Sequence, residues 1–401
     1  MDDARSGHAA LREAGPVHRV TTPLGGEAYV ITRYEEARAV LQDQRLSKHP
    51  KNAPGFLRDS GLVTEAAGPV GVNMLSSDPP DHTRLRRVVG KAFTPRRVQA
   101  LRPRVQQITD DLLDALPTGK EIDLIDRFAF QLPITVICEM LGVPVEDRDR
   151  FRAWTRAMTL VVSTPDERRR REEGMAALQA YLSDLIERRR GGVDREVPHE
   201  DQPDLLSALI VAADERGELD EDELLGTLML LLIAGHETTV NLIGNGTLAL
   251  LRNRDQLDAL IADPGLLPSA VEELLRYDGP VENATFRFTV EDVEIGGVTI
   301  PGGNLVLVSL AGADHDPLRF DHPGELDLAR RDNPHLAFGH GMHFCLGAPL
   351  ARLEGVVAFA SLLGRFPGIR LACPEEQLRL RYQSPLVIIR GLEALPVVLG
   401  R

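Results

Sequence analysis

The sequence predicts a mainly α-helical protein with small antiparallel β-sheets. Three observations carry this. Segments with apolar residues at helical spacing follow one another, separated by proline or glycine. Aromatic residues make up only 4% of the 401 residues, which disfavours an all-β core. Alternating stretches are few, short and punctuated by glycine pairs.

Taken in order, Val17 to Thr22 and Glu27 to Thr32 alternate as strands and can pair across the Pro-Leu-Gly-Gly turn, and RYEEARAVLQD reads as a short helix. Asn52 to Gly71 has no steady period and is expected to be a mobile loop. A helix begins near Asp78, an N-cap candidate followed by Pro79 and Pro80. Helical patterns then cover Pro95 to Leu116, Asp126 to Leu141, Val145 to Val162, Pro165 to Arg190 and Asp204 to Asp214. Leu224 to Leu251 is apolar on nearly all sides and long enough to cross a membrane. Its centre carries His236 and Glu237 and its leading flank is acidic, so it is expected to be a buried central helix. Ser269 to Arg276 is a short helix, and Phe286 to Leu310 holds short strands broken by Gly296-Gly297 and Pro301-Gly302-Gly303.

A net charge of −14 argues against nucleic acid as a partner. Three cysteines without framework spacing point to a reducing compartment. The N-terminus is acidic and lacks an apolar core, so no targeting segment or membrane anchor is expected there. No composition break divides the chain, and one domain over 1–401 in a cytoplasmic protein is expected.

The chemistry concentrates in Phe338-Gly339-His340-Gly341-Met342-His343-Phe344-Cys345-Leu346-Gly347. Gly339 and Gly341 permit a tight turn, and the helical pattern after Leu346 places the Cys345 thiol near a helix N-terminus, where a thiolate is favoured. Lone cysteines are usually small buried apolar residues, and His335, His340 and His343 raise zinc as a competitor. Yet Cys138 and Cys373 are isolated, without the paired spacing that structural zinc needs.

Elsewhere, His82 and Arg86 are four apart and share a helix face, either solvated or anion-binding. In the central helix, Ala234-Gly235-His236-Glu237-Thr238-Thr239 is not a zinc-protease motif, because Val240 stands where the second histidine belongs. Thr238 can bond back to the Ala234 carbonyl and open the helix beside the small Gly235. Glu237 followed by Thr238 is either a short proton relay or a satisfied polar cluster. Glu273 and Arg276 form an i, i+3 pair of the kind common on surfaces.

The spacing Phe338-x-x-Gly341-x-x-x-Cys345-x-Gly347 resembles the haem-ligand loop of the cytochrome P450 monooxygenases, whose cysteinate is the axial ligand of haem iron. The resemblance runs in order from about Leu11 onward. It implies the cytochrome P450 fold and haem b, iron protoporphyrin IX, with Cys345 on the metal. AGHETT resembles the family's oxygen-activation motif, which implies a cofactor contact at Ala234 and proton transfer by Glu237 and Thr238. DPPDHTRLRR resembles the segment whose His82 and Arg86 contact haem propionates, with Arg287 and His343 as further partners. Glu273, Arg276 and Arg330 match a structural triad, although Leu326 replaces a more common aromatic. Asp314-His315-Asp316 departs from the usual Asn-Arg-Asp, which puts local packing in doubt.

The resemblance further implies insertion of one oxygen atom of O₂ into a C–H bond, with electrons from a separate ferredoxin and ferredoxin reductase. Arg84, Arg87, Lys91, Arg96 and Arg97 form a basic cluster, read either as the ferredoxin dock or as a solvated face. The expected substrate is a bulky apolar small molecule, contacted by Asn52–Leu75, Val145–Arg190, Ile233-Ala234, Val281–Thr285 and Gln383–Leu386. The sequence is most similar to actinobacterial macrolide and polyketide hydroxylases, with sterol-like hydroxylases next. A peroxygenase and a non-catalytic haem sensor are the rival classes; neither requires the Glu237-Thr238 pair.

Overall fold

A computed structural model of the chain describes residues 2–63, 71–147, 150, 151, 153, 154, 164–198, 201–214, 218–383, 386 and 388–400. Among these residues helices dominate and four small sheets flank them. The N-terminal stretch forms a helix, Asp2–Ala14, seated on the body by Arg12, which donates to the Gly312 carbonyl at 2.9 Å.

Strands β1 (Val17–Thr21) and β2 (Glu27–Ile31) form the expected hairpin. They join β3 (Leu46–Ser47), β5 (Arg287–Thr289) and β8 (Leu305–Val308) in the order β1-β2-β8-β5-β3. The β2–β8 pair is parallel, a long-range pairing that alternation alone does not reveal. The other sheets pair β4 (Glu121–Asp123) and β9 (Arg370–Leu371) with β12 (Pro396–Val398), β6 (Val293–Ile295) with β7 (Val298–Ile300), and β10 (Leu380–Gln383) with β11 (Ile389–Leu392), all antiparallel.

Most helices fall where periodicity places them: Tyr34–Gln42, Pro165–Arg190, Leu205–Asp214 and Leu267–Asp278. Four readings change. The expected loop after Asn52 contains a helix, Gly55–Asp59, because Leu57 is fully buried and Phe56 packs over Gly26, where a Cβ would overlap its ring. Residues 64–70 of that loop lie outside the described set. Asp78 does not cap the next helix, which runs Asp81–Ala92. Its carboxylate instead accepts from Ser47 Oγ and from the Lys48 amide at 2.7 Å.

Pro95 to Leu116 is split into Pro95–Ala100 and Arg102–Asp114, since Pro103 has no N–H to continue the first helix. Asp126 to Leu141 begins as a wide π turn, Ile125–Ala129, before Gln131–Met140. Pro133 would clash with the carbonyl four residues back, and the wider turn precedes it. Most of the pattern expected over Val145 to Val162 lies outside the described residues, beyond a short 3₁₀ turn at Val145–Asp147.

The axis of the fold is the helix Glu221–Arg252, started by a capping box between Asp220 and Glu223. By length and composition it is apolar enough to cross a membrane, but most of it is buried. It packs against Gln131–Met140, Leu267–Asp278, the helix Ala348–Arg365 and β11, and these contacts build the large apolar core. A second apolar cluster fills the space beside the five-stranded sheet.

Candidate active site

The cysteine loop is shaped by close approach. Gly339 and Gly341 have φ of 71° and 74°, and a Cβ on Gly341 would meet the Gln42 backbone at 3.1 Å. The Gly339 amide donates to the Leu336 carbonyl at 2.7 Å and the Cys345 amide to the Phe338 carbonyl at 2.9 Å, which folds the loop back on itself. Helix Ala348–Arg365 follows directly. Cys345 is open to a cavity yet deep in the fold, and burial pushes its thiol up. The amides of Gly347 and Ala348 and the guanidinium of Arg86 pull the other way without cancelling that effect. A helix start alone therefore does not hold a thiolate here. Coordination to a metal would, by replacing the proton.

Two carboxylates, one fully buried and one half-buried, brace this loop. Glu273 takes both Arg276 Nε and Nη2 at 2.8 Å, Arg330 Nε at 3.1 Å and Asn333 Nδ2 at 3.2 Å. Glu273 and Arg276 are fully buried, so the pair is not a surface one. Arg276 also donates to the carbonyls of Asp314, Pro323 and Glu325, which ties the segment ahead of the cysteine to this helix.

Glu272, its neighbour, is a residue that spacing did not reveal. It accepts two bonds of 2.7 Å from Arg352 and one of 3.1 Å from His335, and Arg352 lies 4.5 Å over the Phe338 ring. Burial would raise Glu272, but Arg352 and His335 hold it at about 2. In the unusual Asp314-His315-Asp316 segment, the Asp314 carboxylate accepts from the Leu336 amide at 2.7 Å, and burial pushes it up to about 7. Asp316 accepts from the Tyr34 amide at 2.8 Å. Leu326 is simply buried in the core.

Facing Cys345 across the cavity are Ala234, Gly235, Thr238 and Thr239 of the central helix. The Thr238 hydroxyl donates to the Ala234 carbonyl at 3.0 Å, as expected, but the helix continues unbroken through this point. Gly235 is also needed for packing, since a Cβ there would meet Ile137 at 3.2 Å. Glu237 is buried and is not part of the cavity wall. Its carboxylate is paired with Arg381 of β10. His236 is fully buried with Nδ1 on the Leu232 carbonyl at 2.8 Å, and burial takes it down to about 4. Among the described residues no three His, Cys, Asp or Glu side chains are grouped to hold a metal ion.

One end of the cavity collects cations. The rings of His82 and His343 are 4.2 Å apart, and His82 Nε2 is buried without a hydrogen-bond partner among the described residues. Arg287 is buried and taken down to about 10, while Arg86 donates to the Phe344 carbonyl at 2.5 Å. Lys48 joins them, a residue not singled out by any sequence pattern. Its Nζ is buried against the Thr285 hydroxyl, and burial together with the charge of Arg287 lowers it strongly. Burial and these same neighbours drive His343 down to about 2. Burial lowers all five basic groups, and cationic neighbours lower Lys48, His82 and His343 further, so the cluster calls for an anion. A flat macrocycle with carboxylates on one edge and a metal at its centre fits between this cluster, Cys345 and the Thr238 helix.

The basic cluster expected on the surface is partly compensated. Arg84 is paired with Glu223 at 2.5 Å, and Arg87 and Lys91 lie 3.7 and 3.9 Å from Glu218. Arg97 donates to the Gln202 carbonyl, and Arg96 is exposed. Of the expected substrate-facing segments, Met74, Leu75, Val281, Ala284 and Thr285 line the cavity. In the turn Gln383–Leu386, Ser384 and Pro385 lie outside the described residues.

The family model "Cytochrome P450" matches residues 11–263 and 259–390. Over 394 residues, 97% of this chain and 89% of the relative, the sequence is 50% identical to cytochrome P450 monooxygenase PikC from Streptomyces venezuelae. A vitamin D(3) 25-hydroxylase from Pseudonocardia autotrophica is 46% identical over 394 residues, 98% and 93% of the two chains. The solved structure of the tirandamycin C-bound P450 monooxygenase TamI superposes with a TM-score of 0.88 at 45% identity, covering 99% of this chain and 98% of that one. The cysteine loop, the braces behind it and these likenesses along the whole chain converge: the protein belongs to the cytochrome P450 family and is a haem-thiolate monooxygenase.

Proposed function

We propose that this monooxygenase inserts one oxygen atom of O₂ into a C–H bond of a bulky apolar small molecule of the macrolide or polyketide type. The observation that carries the reading is the cavity between Cys345 and Thr238, walled largely by apolar side chains such as Met74, Leu75, Phe93, Leu230 and Val281. Relatives that oxidise macrolide and polyketide skeletons support it. The whole of 1–401 acts as one domain in the cytoplasm.

Haem b, held through the Cys345 sulfur, would supply the activation of O₂. The remaining work belongs to the chain. His82, Arg86, Arg287, His343 and Lys48 would hold the propionates, and Ala234 would contact the macrocycle. Thr238 presents a hydroxyl to the reacting side of the cavity, and Glu237 supplies protons to it. The apolar wall orients the substrate and excludes water. Electrons come from a separate ferredoxin and its reductase. Arg96, exposed beside Arg87 and Lys91, remains available to an acidic partner, while the compensated Arg84 contributes to folding.

Sterol-like oxidation is the second reading, favoured by the relative named for vitamin D(3). Spectral titration of the purified holoprotein with tirandamycin C, a macrolactone and vitamin D3 separates the two. Tight binding of vitamin D3 alone reverses the assignment. Reduced protein under carbon monoxide tests the ligand: wild type shows the thiolate Soret band, and Cys345→His loses it. A wild-type band like that of a histidine-ligated haem removes the assignment. Turnover with NADPH and redox proteins, but not with peroxide alone, distinguishes the monooxygenase from a peroxygenase and from a sensor.

A further inference from the structure

The C-terminal hairpin β10–β11 lies along one face of the central helix, and three polar residues one turn apart meet it. Glu237 pairs with Arg381 of β10. Asn241 faces Gly391 of β11, where a Cβ would overlap the Asn241 amide. Asn245 Nδ2 donates to the Arg390 carbonyl at 3.3 Å. Arg381 and Gly391 are direct partners across the β10–β11 ladder, and residues directly opposite present their side chains to the same face. Gly391, lacking a side chain, lets the ladder settle on Asn241, and its neighbour Arg381 then reaches Glu237.

The other edge of β11 is bonded to the wall of the active-site cavity. Ile389 bridges Val281, and the Glu282 amide donates to the Ile388 carbonyl at 2.9 Å. Val281 lines the cavity. One hairpin therefore touches both the cavity wall and the Glu237 carboxylate. Arg381 is 30% exposed whereas Glu237 is 3% exposed, so the ion pair links a buried acid to the surface.

We propose that Arg381 is a positioning residue for proton delivery. It holds the Glu237 carboxylate ionised on the hairpin side of the central helix, where protons enter from water, and the seat of the hairpin on Asn241 sets that position. The inference rests on Glu237 being the acid that supplies Thr238. Reduction of O₂ to hydrogen peroxide consumes two electrons and two protons, and reduction to water consumes four of each. NADPH supplies the electrons through the redox proteins. Each proton is taken from water by the Glu237 carboxylate and passed on, which returns the carboxylate to its ionised form.

Other titratable groups among the described residues lie near this carboxylate. His236 Nε2 lies 3.6 Å from Glu237 and is neutral above about 4 because it is buried. Arg390 of β11 is engaged with Asp278 and with Glu282 at 2.8 Å. On the π turn packed against the helix, Arg127 is exposed and Asp126 half-buried. Removing Arg381 takes away a cation paired with this acid.

The test uses holoprotein with NADPH, a ferredoxin and its reductase, and no organic substrate. NADPH consumed and hydrogen peroxide released are measured across the range in which carboxyl groups titrate. The peroxide fraction changes with pH in wild type and loses that change in Glu237→Gln. In Arg381→Gln the midpoint rises by about one to three units, the range that an adjacent opposite charge commands, and Arg381→Lys restores it. Gly391→Ala, which unseats the hairpin while keeping Arg381, moves the midpoint in the same direction. Should Arg381→Gln fail to retain haem, Arg381→Lys and Gly391→Ala carry the comparison. A midpoint unmoved in Arg381→Gln and Gly391→Ala, with Glu237→Gln still losing the dependence, overturns the role of Arg381 alone. A Glu237→Gln profile identical to wild type overturns the Glu237 assignment, and this inference with it.

Discussion

The Thr238 hydroxyl donates to the carbonyl of Ala234 at 3.0 Å, and both residues stand on the cavity wall opposite Cys345. The bond orients the oxygen toward the cavity without breaking the helix. Thr238→Ala keeps the fold and the apolar wall, so binding of a substrate by spectral titration changes little. Product formed per NADPH consumed falls by about tenfold or more, toward the range that a positioned proton-transfer group contributes, and peroxide rises. A fully coupled Thr238→Ala enzyme places the relay elsewhere.

Arg86 and Arg87 are adjacent, about 100° apart round the same helix, and their environments differ accordingly. Arg86 turns to the Phe344 carbonyl beside the cysteine, whereas Arg87 is 62% exposed and 3.7 Å from Glu218. Loss of a charge-assisted bond to a propionate costs about 1.5–3 kcal/mol, a factor of about 10 to 150 in haem retention. Arg87→Ala costs no more than about 0.5 kcal/mol. Haem transfer to apomyoglobin measures both. Ferredoxin reduction kinetics at low salt show the opposite order if Arg87 steers the partner. Equal haem loss from the two variants contradicts the assignment of faces.

Lys48 is buried among other cations, with its Nζ against the Thr285 hydroxyl. Lys48→Met keeps the length and removes the charge. If Lys48 helps to balance propionates, the variant loses haem about tenfold faster, the effect of one charged hydrogen bond at the low end of its range. If the lysine is only a packing element, the neutral variant retains haem as well as wild type does.

Glu354, in the helix that follows Cys345, is fully buried, and burial raises it to about 8. A carboxyl that is neutral in the fold and has an ordinary value of about 4.3 when unfolded contributes most below that value. Stability is then lost as pH rises through the folded value, since the unfolded chain gives up its proton first. Glu354→Gln, which cannot ionise, matches wild type at about pH 4 and is more stable by several kcal/mol above about pH 8. Thermal unfolding across this window measures it. Asp314, raised to about 7, leaves a residual slope in the variant. Parallel curves for the two proteins show that Glu354 is ionised in the fold.

The features legible along the chain are local. Capping boxes and apolar periodicity set Pro165–Arg190 and Glu221–Arg252, because helix hydrogen bonds join residues four apart. The glycines and cysteine of the loop are legible because a tight turn imposes its backbone needs on neighbours in sequence. The Glu273–Arg276 pair is visible as spacing, but its complete burial and its bonds to Arg330 and Asn333 are not.

Which side chains from distant segments meet was set by the packing of the folded chain. It brought Arg381 to Glu237, Lys48 to Thr285 and Arg352 to Glu272, and it spent the charge of Arg84 on Glu223. It also moved Asp78 from a helix cap to the backbone of Lys48, and placed β8 parallel to β2. Such contacts follow from burial. A polar group enclosed in the core must find a partner there, and which one it finds depends on packing that no local pattern records.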